Sequence, residues 1–256
     1  MKLYEIYFSP TGGTRKVSGI LSSEWDCGKT EIDLSDTQAD FPEYQFGEDD
    51  ICIVSVPVFG GRVPVPAIEN LGKLRGNGAK AVLVAVYGNR AYEDALLEVK
   101  DAAVSAGFVC VAGIAAIAEH SIMHQFAAGR PDETDRGQLL TFAKEIRKKL
   151  EAGEVPGGLC VPGNHPYKEL KVVPMVPVAG EECISCGICA KKWPVGAISK
   201  ENPMETDGDT CIACMRCISV CPEQARRIDS AAVEALSNRL FDICTVRKEN
   251  ELYLAE

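Results

Sequence analysis

The sequence has no uninterrupted apolar run near the ~18 residues that a bilayer crossing requires. Its first residues, Met-Lys-Leu-Tyr-Glu, place an acid at Glu5 and soon reach Ser9-Pro10, without the apolar core of a signal peptide. The expectation is a cytoplasmic protein with no membrane contact. Clustered basic residues are also missing. The net charge is −10, which argues against a nucleic-acid partner. Two nucleotide-loop signatures are absent as well: Gly-x4-Gly-Lys-Ser/Thr and Gly-x-Gly-x2-Gly. What remains is an ordinary composition, 256 residues with 46% hydrophobic and 25% charged, suited to one domain of usual size plus a small one.

Cysteine is plentiful, at twelve residues. Five are scattered: Cys27, Cys52, Cys110, Cys160 and Cys244. The other seven fall between Cys183 and Cys221 in two runs. The first is Cys183-x2-Cys186-x2-Cys189, followed by Trp193-Pro194. The second is Cys211-x2-Cys214-x2-Cys217, followed by Cys221-Pro222. They superimpose at an offset of 28, so the segment is an internal repeat. Short spacings without an export signal favour metal over disulfides. Three thiolates so spaced wrap one iron–sulfur cluster, and a distant Cys-Pro supplies the fourth ligand of the other cluster. A zinc site would offer its ligands in groups of four without this crossing.

These runs resemble the bacterial two-cluster ferredoxins over about 50 residues, with one departure: position 193 is Trp where the pattern has Cys. The crossing rule makes Cys183, Cys186, Cys189 and Cys221 a complete 4Fe-4S site. It leaves Cys211, Cys214 and Cys217 one ligand short, because indole is a donor only. Three outcomes stay open for that site. It holds a 3Fe-4S cluster; or it holds a 4Fe-4S cluster whose last iron takes water, substrate, Cys160 or Cys244; or it is empty, with Trp193 as core.

Residues 1–152 alternate strands and helices. β-rich or apolar runs at 3–8, 50–56, 81–86 and 109–117, with a weaker strand at 30–34, are separated by helical spacing at 14–23 and 92–106 and closed by a helix at 135–150. Continuous apolar strands of this kind predict an α/β domain with a doubly wound, five-stranded parallel sheet. Ligands of such sheets bind beyond the carboxyl ends of the strands. Glycine-containing turns follow three of those ends. Residues 153–180 carry five Pro and five Gly, marking a linker or an extended strap. The cysteine module takes 181–230, and a helix with its tail takes 231–256, with Val233, Leu236, Leu240, Phe241 and Cys244 on one face.

Ser9-Pro-Thr11-Gly12-Gly13-Thr14 follows the first strand and opens the first helix, an arrangement suited to a phosphate. It resembles the Ser/Thr-x-Thr-Gly-x-Thr loop with which flavodoxins bind flavin mononucleotide (FMN). In that family two further loops flank the flavin ring. Their counterparts here are Pro57-Val58-Phe59-Gly60-Gly61 and Tyr87-Gly88-Asn89 with Tyr92. His120, after the fifth strand, is a weak catalytic candidate at the same rim.

Taken together, the chain is similar to the flavodoxin–ferredoxin fusion proteins of anaerobic prokaryotes. The phrases Pro57–Pro64, Tyr87–Asp94, Glu119-His120-Ser121 and Ala128–Asp132 add to the resemblance. It implies a flavodoxin-like domain plus a small α+β ferredoxin-like domain, and electron relay between iron–sulfur cluster and FMN. The alternative is an FMN-dependent oxidoreductase fed by the cluster and acting on a small acceptor. The acid-rich stretch 31–50 is then an expected docking surface for a basic redox partner. The oligomeric state is open.

Overall fold

The computed structural model describes residues 1–153, 158–170 and 175–255. Parts of the expected linker, 154–157 and 171–174, lie outside the described residues. Five parallel strands form the centre: β1 (Leu3–Tyr7), β2 (Lys29–Asp33), β3 (Ile51–Pro57), β4 (Lys80–Tyr87) and β5 (Val109–Ile117). Their spatial order, 2-1-3-4-5, is that of the flavodoxin-like doubly wound fold. Strand residues alternate between two cores because successive side chains point to opposite faces. Cys52, Val54, Val56, Ala81, Leu83 and Ala85 pack under helices α2 (Val65–Leu71) and α3 (Ala95–Ser105). Ile51, Ile53, Val82, Val84 and Val86 pack under α1 (Gly13–Ser22) and α4 (Glu133–Glu151).

A sixth strand completes the sheet. The segment Glu251–Leu254, numbered β8 in chain order, pairs antiparallel with β5, from Ala112↔Leu254 to Ala115↔Glu251. The C-terminal residues expected to form a tail are therefore part of the first domain's sheet. A buried polar cluster holds them there. Arg130 forks onto Asp135, with Nε 2.8 Å from Oδ2, and Asn250 Nδ2 donates to the same carboxylate at 3.0 Å. Asn250 Oδ1 in turn accepts from the Ile117 amide at 2.9 Å, continuing the β5 edge.

Between α4 and β8 the chain makes a strap and a module. The strap, 158–170, lies over α3. Asp94, 2% exposed, accepts from the Asn164 amide at 2.9 Å and the Lys168 amide at 2.7 Å. Gly163 (φ +145) passes so close to α3 that a Cβ would stand 2.5 Å from that of Leu97. The module contains the two-residue strands β6 (Val178–Ala179) and β7 (Arg226–Arg227), paired antiparallel, and two single-turn helices, α5 (Ile188–Lys191) and α6 (Arg216–Ser219). Helix α7 (Ser230–Thr245) follows, capped by Asp229, whose carboxylate accepts from the Ala231 amide. Val233, Leu236, Leu240 and Cys244 pack against Met123 and Phe126. Phe241, expected on that buried face, is 53% exposed and meets Phe126 only at a centroid distance of 6.4 Å. No helix among the described residues is long and apolar enough to cross a membrane.

Candidate functional site

A cavity opens at the carboxyl ends of β1, β3, β4 and β5, where the doubly wound topology directs ligands. Thr11, Gly13 and Thr14 line it from the loop into α1. Gly12 caps that helix in the left-handed region (φ 93), with no side-chain cap. The Ser9 hydroxyl accepts from the Arg15 amide at 2.9 Å, and the Lys16 amide donates to the Gly12 carbonyl. The amides of Gly13 and Thr14 thereby remain at the positive end of the helix dipole beside the cavity. Pro57, Val58, Phe59 and Gly60 line it after β3, and Tyr87 and Gly88 after β4. Burial pushes the Tyr87 hydroxyl up to about 12.

Five expected contact residues take other positions. Ser9 and Gly12 shape the first loop rather than line the cavity. Gly61 (φ +92) meets the neighbouring loop at Glu93, and its left-handed backbone favours glycine there. Asn89, 3% exposed, turns toward the C-terminal segment, its Nδ2 donating to the carbonyls of Cys244 (2.7 Å) and Val246 (2.8 Å). Tyr92 hydrogen-bonds to Glu251 at 2.7 Å and Tyr253 at 2.8 Å. Asn89 thus ties the β4 loop to the end of α7 and Tyr92 ties it to β8.

His120 lines the cavity and packs on Gly88, where a Cβ would stand 2.6 Å from the imidazole Cδ2. Its Nδ1 accepts from the amides of Ile122 (3.1 Å) and Met123 (3.2 Å). In the neutral ring the proton is then on Nε2, which makes that atom a donor. Burial, with the charges of His124 and Arg90, lowers its pKa to about 4, so the ring is neutral near pH 7.

In the module, Cys183, Cys186, Cys189 and Cys221 line one small pocket, the grouping expected from the crossing rule. The Ala225 amide donates to Cys221 Sγ at 3.3 Å. Cys186 is exposed and Cys183 and Cys221 are half-buried, so this group faces outward. Cys211, Cys214 and Cys217 are buried. Burial pushes Cys214 up to about 11 and Cys217 up to about 12. Trp193, 2% exposed, shares one apolar cluster with Cys189, Cys211 and Cys217. Cys160 is exposed on the strap and Cys244 packs with Met123 and Phe126; neither belongs to that cluster. Among the described residues no three or more His, Cys, Asp or Glu side chains gather closely enough for a single metal ion.

The two halves meet at the cavity. Ile212, Ala213 and Cys214 form part of its wall, Leu236 and Leu240 of α7 another, and Leu170 of the strap a third. Arg216 fixes the contact, donating to the carbonyls of Pro10 (Nε, 3.3 Å) and Ser9 (Nη2, 3.4 Å) and pairing with Asp33 at 3.4 Å. Ile212, Ala213, Leu170 and Arg216 carry no functional signal in the sequence. Leu236 and Leu240 carried a packing signal, but nothing in the sequence specified what they pack over. The expected acidic docking stretch is partly used inside the chain. Asp33 meets Arg216, Glu31 meets Arg15 and Tyr7, and Asp50 accepts from the Lys2 amide. Asp36, Asp40, Glu43, Glu48 and Asp49 stay exposed.

Comparison with known proteins matches residues 204–227 to the 4Fe-4S binding domain family. That match contains Cys211, Cys214, Cys217 and Cys221. No curated protein matches the sequence. Among solved structures, the rubredoxin oxygen:oxidoreductase of the anaerobe Desulfovibrio gigas aligns with a TM-score of 0.43 and 15% identity. The alignment covers 59% of this chain and only 36% of that chain, so this protein corresponds to about a third of its length. A flavodoxin from the Archaea (TM-score 0.42, 14% identity) covers 59% of this chain and is itself 99% covered. A flavodoxin of Streptococcus pneumoniae TIGR4 (TM-score 0.39, 22% identity) covers 58% and is 99% covered. The chain thus joins an α/β domain of flavodoxin-like fold, by its strand order, to a segment that matches the 4Fe-4S binding domain family.

Proposed function

We propose that this protein relays electrons between iron–sulfur clusters in the cysteine module and an FMN in the cavity above the sheet. One observation carries the reading: Cys214 forms part of the wall of the same cavity that Thr11, Thr14, Phe59 and Tyr87 line. Cofactors held by these residues would share a wall, so exchange need not await a diffusional encounter.

The residues fit FMN. The Gly13 and Thr14 amides, the hydroxyls of Thr11 and Thr14 and the helix dipole suit a phosphate. The rings of Phe59 and Tyr87 and the mostly apolar walls suit a flat ring system. His120 adds a neutral donor at Nε2. When bound, FMN supplies the capacity to exchange one or two electrons, and the protein sets position and polarity. Leu170 of the strap and Leu236 and Leu240 of α7 add apolar side chains to its walls.

The arrangement gives the carriers an order. The outward-facing group of Cys183, Cys186, Cys189 and Cys221 is the entry or exit for a redox partner. The buried group of Cys211, Cys214 and Cys217 stands between it and the cavity, with Cys217 and Cys189 in one apolar cluster. Asp33 pairs with Arg216, and the exposed Asp36 follows it three residues on, so this part of the acidic stretch would receive a basic partner protein near the module. His120 favours a second reading, an FMN-dependent oxidoreductase acting on a small acceptor.

Rapid-mixing spectroscopy of the purified protein tests the relay. Reduction of the clusters should be followed by flavin reduction within turnover time. Independent reduction of the two would refute the relay, and turnover of a small acceptor without a protein partner would support the second reading.

A further inference from the structure

Trp193 has a buried N–H without an acceptor. Its side chain is 2% exposed, and Nε1 finds no hydrogen-bond partner within the protein. In the 28-residue repeat it holds the position of Cys221, the residue that completes the four-cysteine group. It packs in one cluster with Cys189, Cys211 and Cys217, and the other members, including Ala197, Ile198, Val195 and Ile218, carry no hydrogen-bond acceptor and no iron ligand in their side chains. A buried donor left without a partner is costly, and such a group calls for an acceptor from outside the polypeptide.

We propose that Cys211, Cys214 and Cys217 hold a 3Fe-4S cluster, and that Trp193 fills its missing corner with Nε1–H donating to a cluster sulfide. The proposal rests on the reading of the module as an iron–sulfur carrier. A cuboidal four-iron cluster needs a ligand at each iron, and three thiolates serve three. Removing the fourth iron uncovers three sulfides that each bridge two irons, and these are anionic acceptors. The indole occupies the volume that a fourth iron and its cysteine would take, offering a donor and no lone pair. Cys160 and Cys244 belong to other parts of the fold. A hydrogen bond to a cluster sulfur stabilises the reduced state and raises the reduction potential. Trp193 is thereby a tuning residue at the site nearest the cavity.

The test uses the full chain, purified anaerobically or reconstituted with iron and sulfide. Iron quantitation, electron paramagnetic resonance and Mössbauer spectroscopy should give about seven irons per chain and a three-iron signal in the oxidised protein. Two four-iron clusters, or about four irons with one empty site, would each overturn the proposal. No cluster at all would overturn the underlying reading of the module instead. Trp193→Cys should convert the site to a second four-iron cluster and abolish the oxidised-state signal. Trp193→Phe should keep the three-iron cluster and lower its potential; an unchanged potential refutes the hydrogen bond. Should that variant misfold, labelling the two tryptophans with 15N in the wild-type protein replaces it. Pulsed resonance should detect indole nitrogen coupled to the three-iron cluster, and no coupling refutes the contact.

Discussion

His120 makes the protein less stable in mild acid than its carboxylates alone would. Burial, reinforced by His124 and Arg90, lowers its pKa from 6.5 to about 4. In the unfolded chain the imidazole takes up its proton near its ordinary value. Across the intervening range the unfolded state therefore binds more protons, and stability rises with pH. The contribution is complete above the unfolded value and is lost as pH falls from about 6.5 toward about 4. Between about pH 7 and about pH 5 the loss is about 2 kcal/mol, at ~1.4 kcal/mol per pH unit over the 1.5 units below the unfolded value. Part of the ring faces the cavity, so the figure is an upper one. Stopping at pH 5 keeps most carboxylates ionised. The comparison is His120→Asn, whose Oδ1 can still accept from the Ile122 and Met123 amides but does not titrate. Urea unfolding of both proteins, at equal cofactor content, should show wild type losing about 2 kcal/mol more than the variant over that interval. Parallel pH profiles would refute the buried neutral imidazole.

Other outcomes follow from single contacts. Gly88→Ala places a methyl 2.6 Å from His120 Cδ2 and should cost about 1–3 kcal/mol with reduced flavin content; an unchanged melting temperature and flavin ratio would contradict the packing. Asp135→Asn leaves the Arg130 guanidinium buried without its counter-charge and should destabilise by about 3–5 kcal/mol, with faster hydrogen exchange along β8. A loss below about 1 kcal/mol in denaturant titration would show that the pair is not the anchor. Asp94→Ala removes the acceptor of the Asn164 and Lys168 amides, so proteolysis of the strap should accelerate, as read by mass spectrometry of the fragments. Equal cleavage rates would place the strap's anchor elsewhere.

The central sheet was legible because β3, β4 and β5 are near-continuous apolar runs, a pattern set by burial on both faces, and glycine turns follow β1, β3 and β4. The 4Fe-4S segment was legible because ligand spacing along the chain is itself the chemistry. β8 was not: Glu251-Leu-Tyr-Leu is four residues long with half-buried side chains, too short to separate from a tail. The bonds from Tyr92 to Glu251 and Tyr253 were hidden with it, because an aromatic hydroxyl suits a cofactor rim as well as a strand contact. The shared wall at Cys214 is a property of docking through Arg216. An arginine on a single-turn helix carries no sign in sequence of the backbone carbonyls it will meet.

β8 changes the meaning of the fusion. The iron–sulfur module is not a pendant on one leash but an insertion, entered after α4 and left through α7, with its far end stitched into the sheet beside β5. A segment fixed at both ends samples far fewer orientations than a swinging arm, so little ordering entropy remains to be lost when the cofactor sites face each other. A single cut between α4 and the strap would leave two fragments that share one sheet, and the nicked protein should stay together with its wall at the cavity intact.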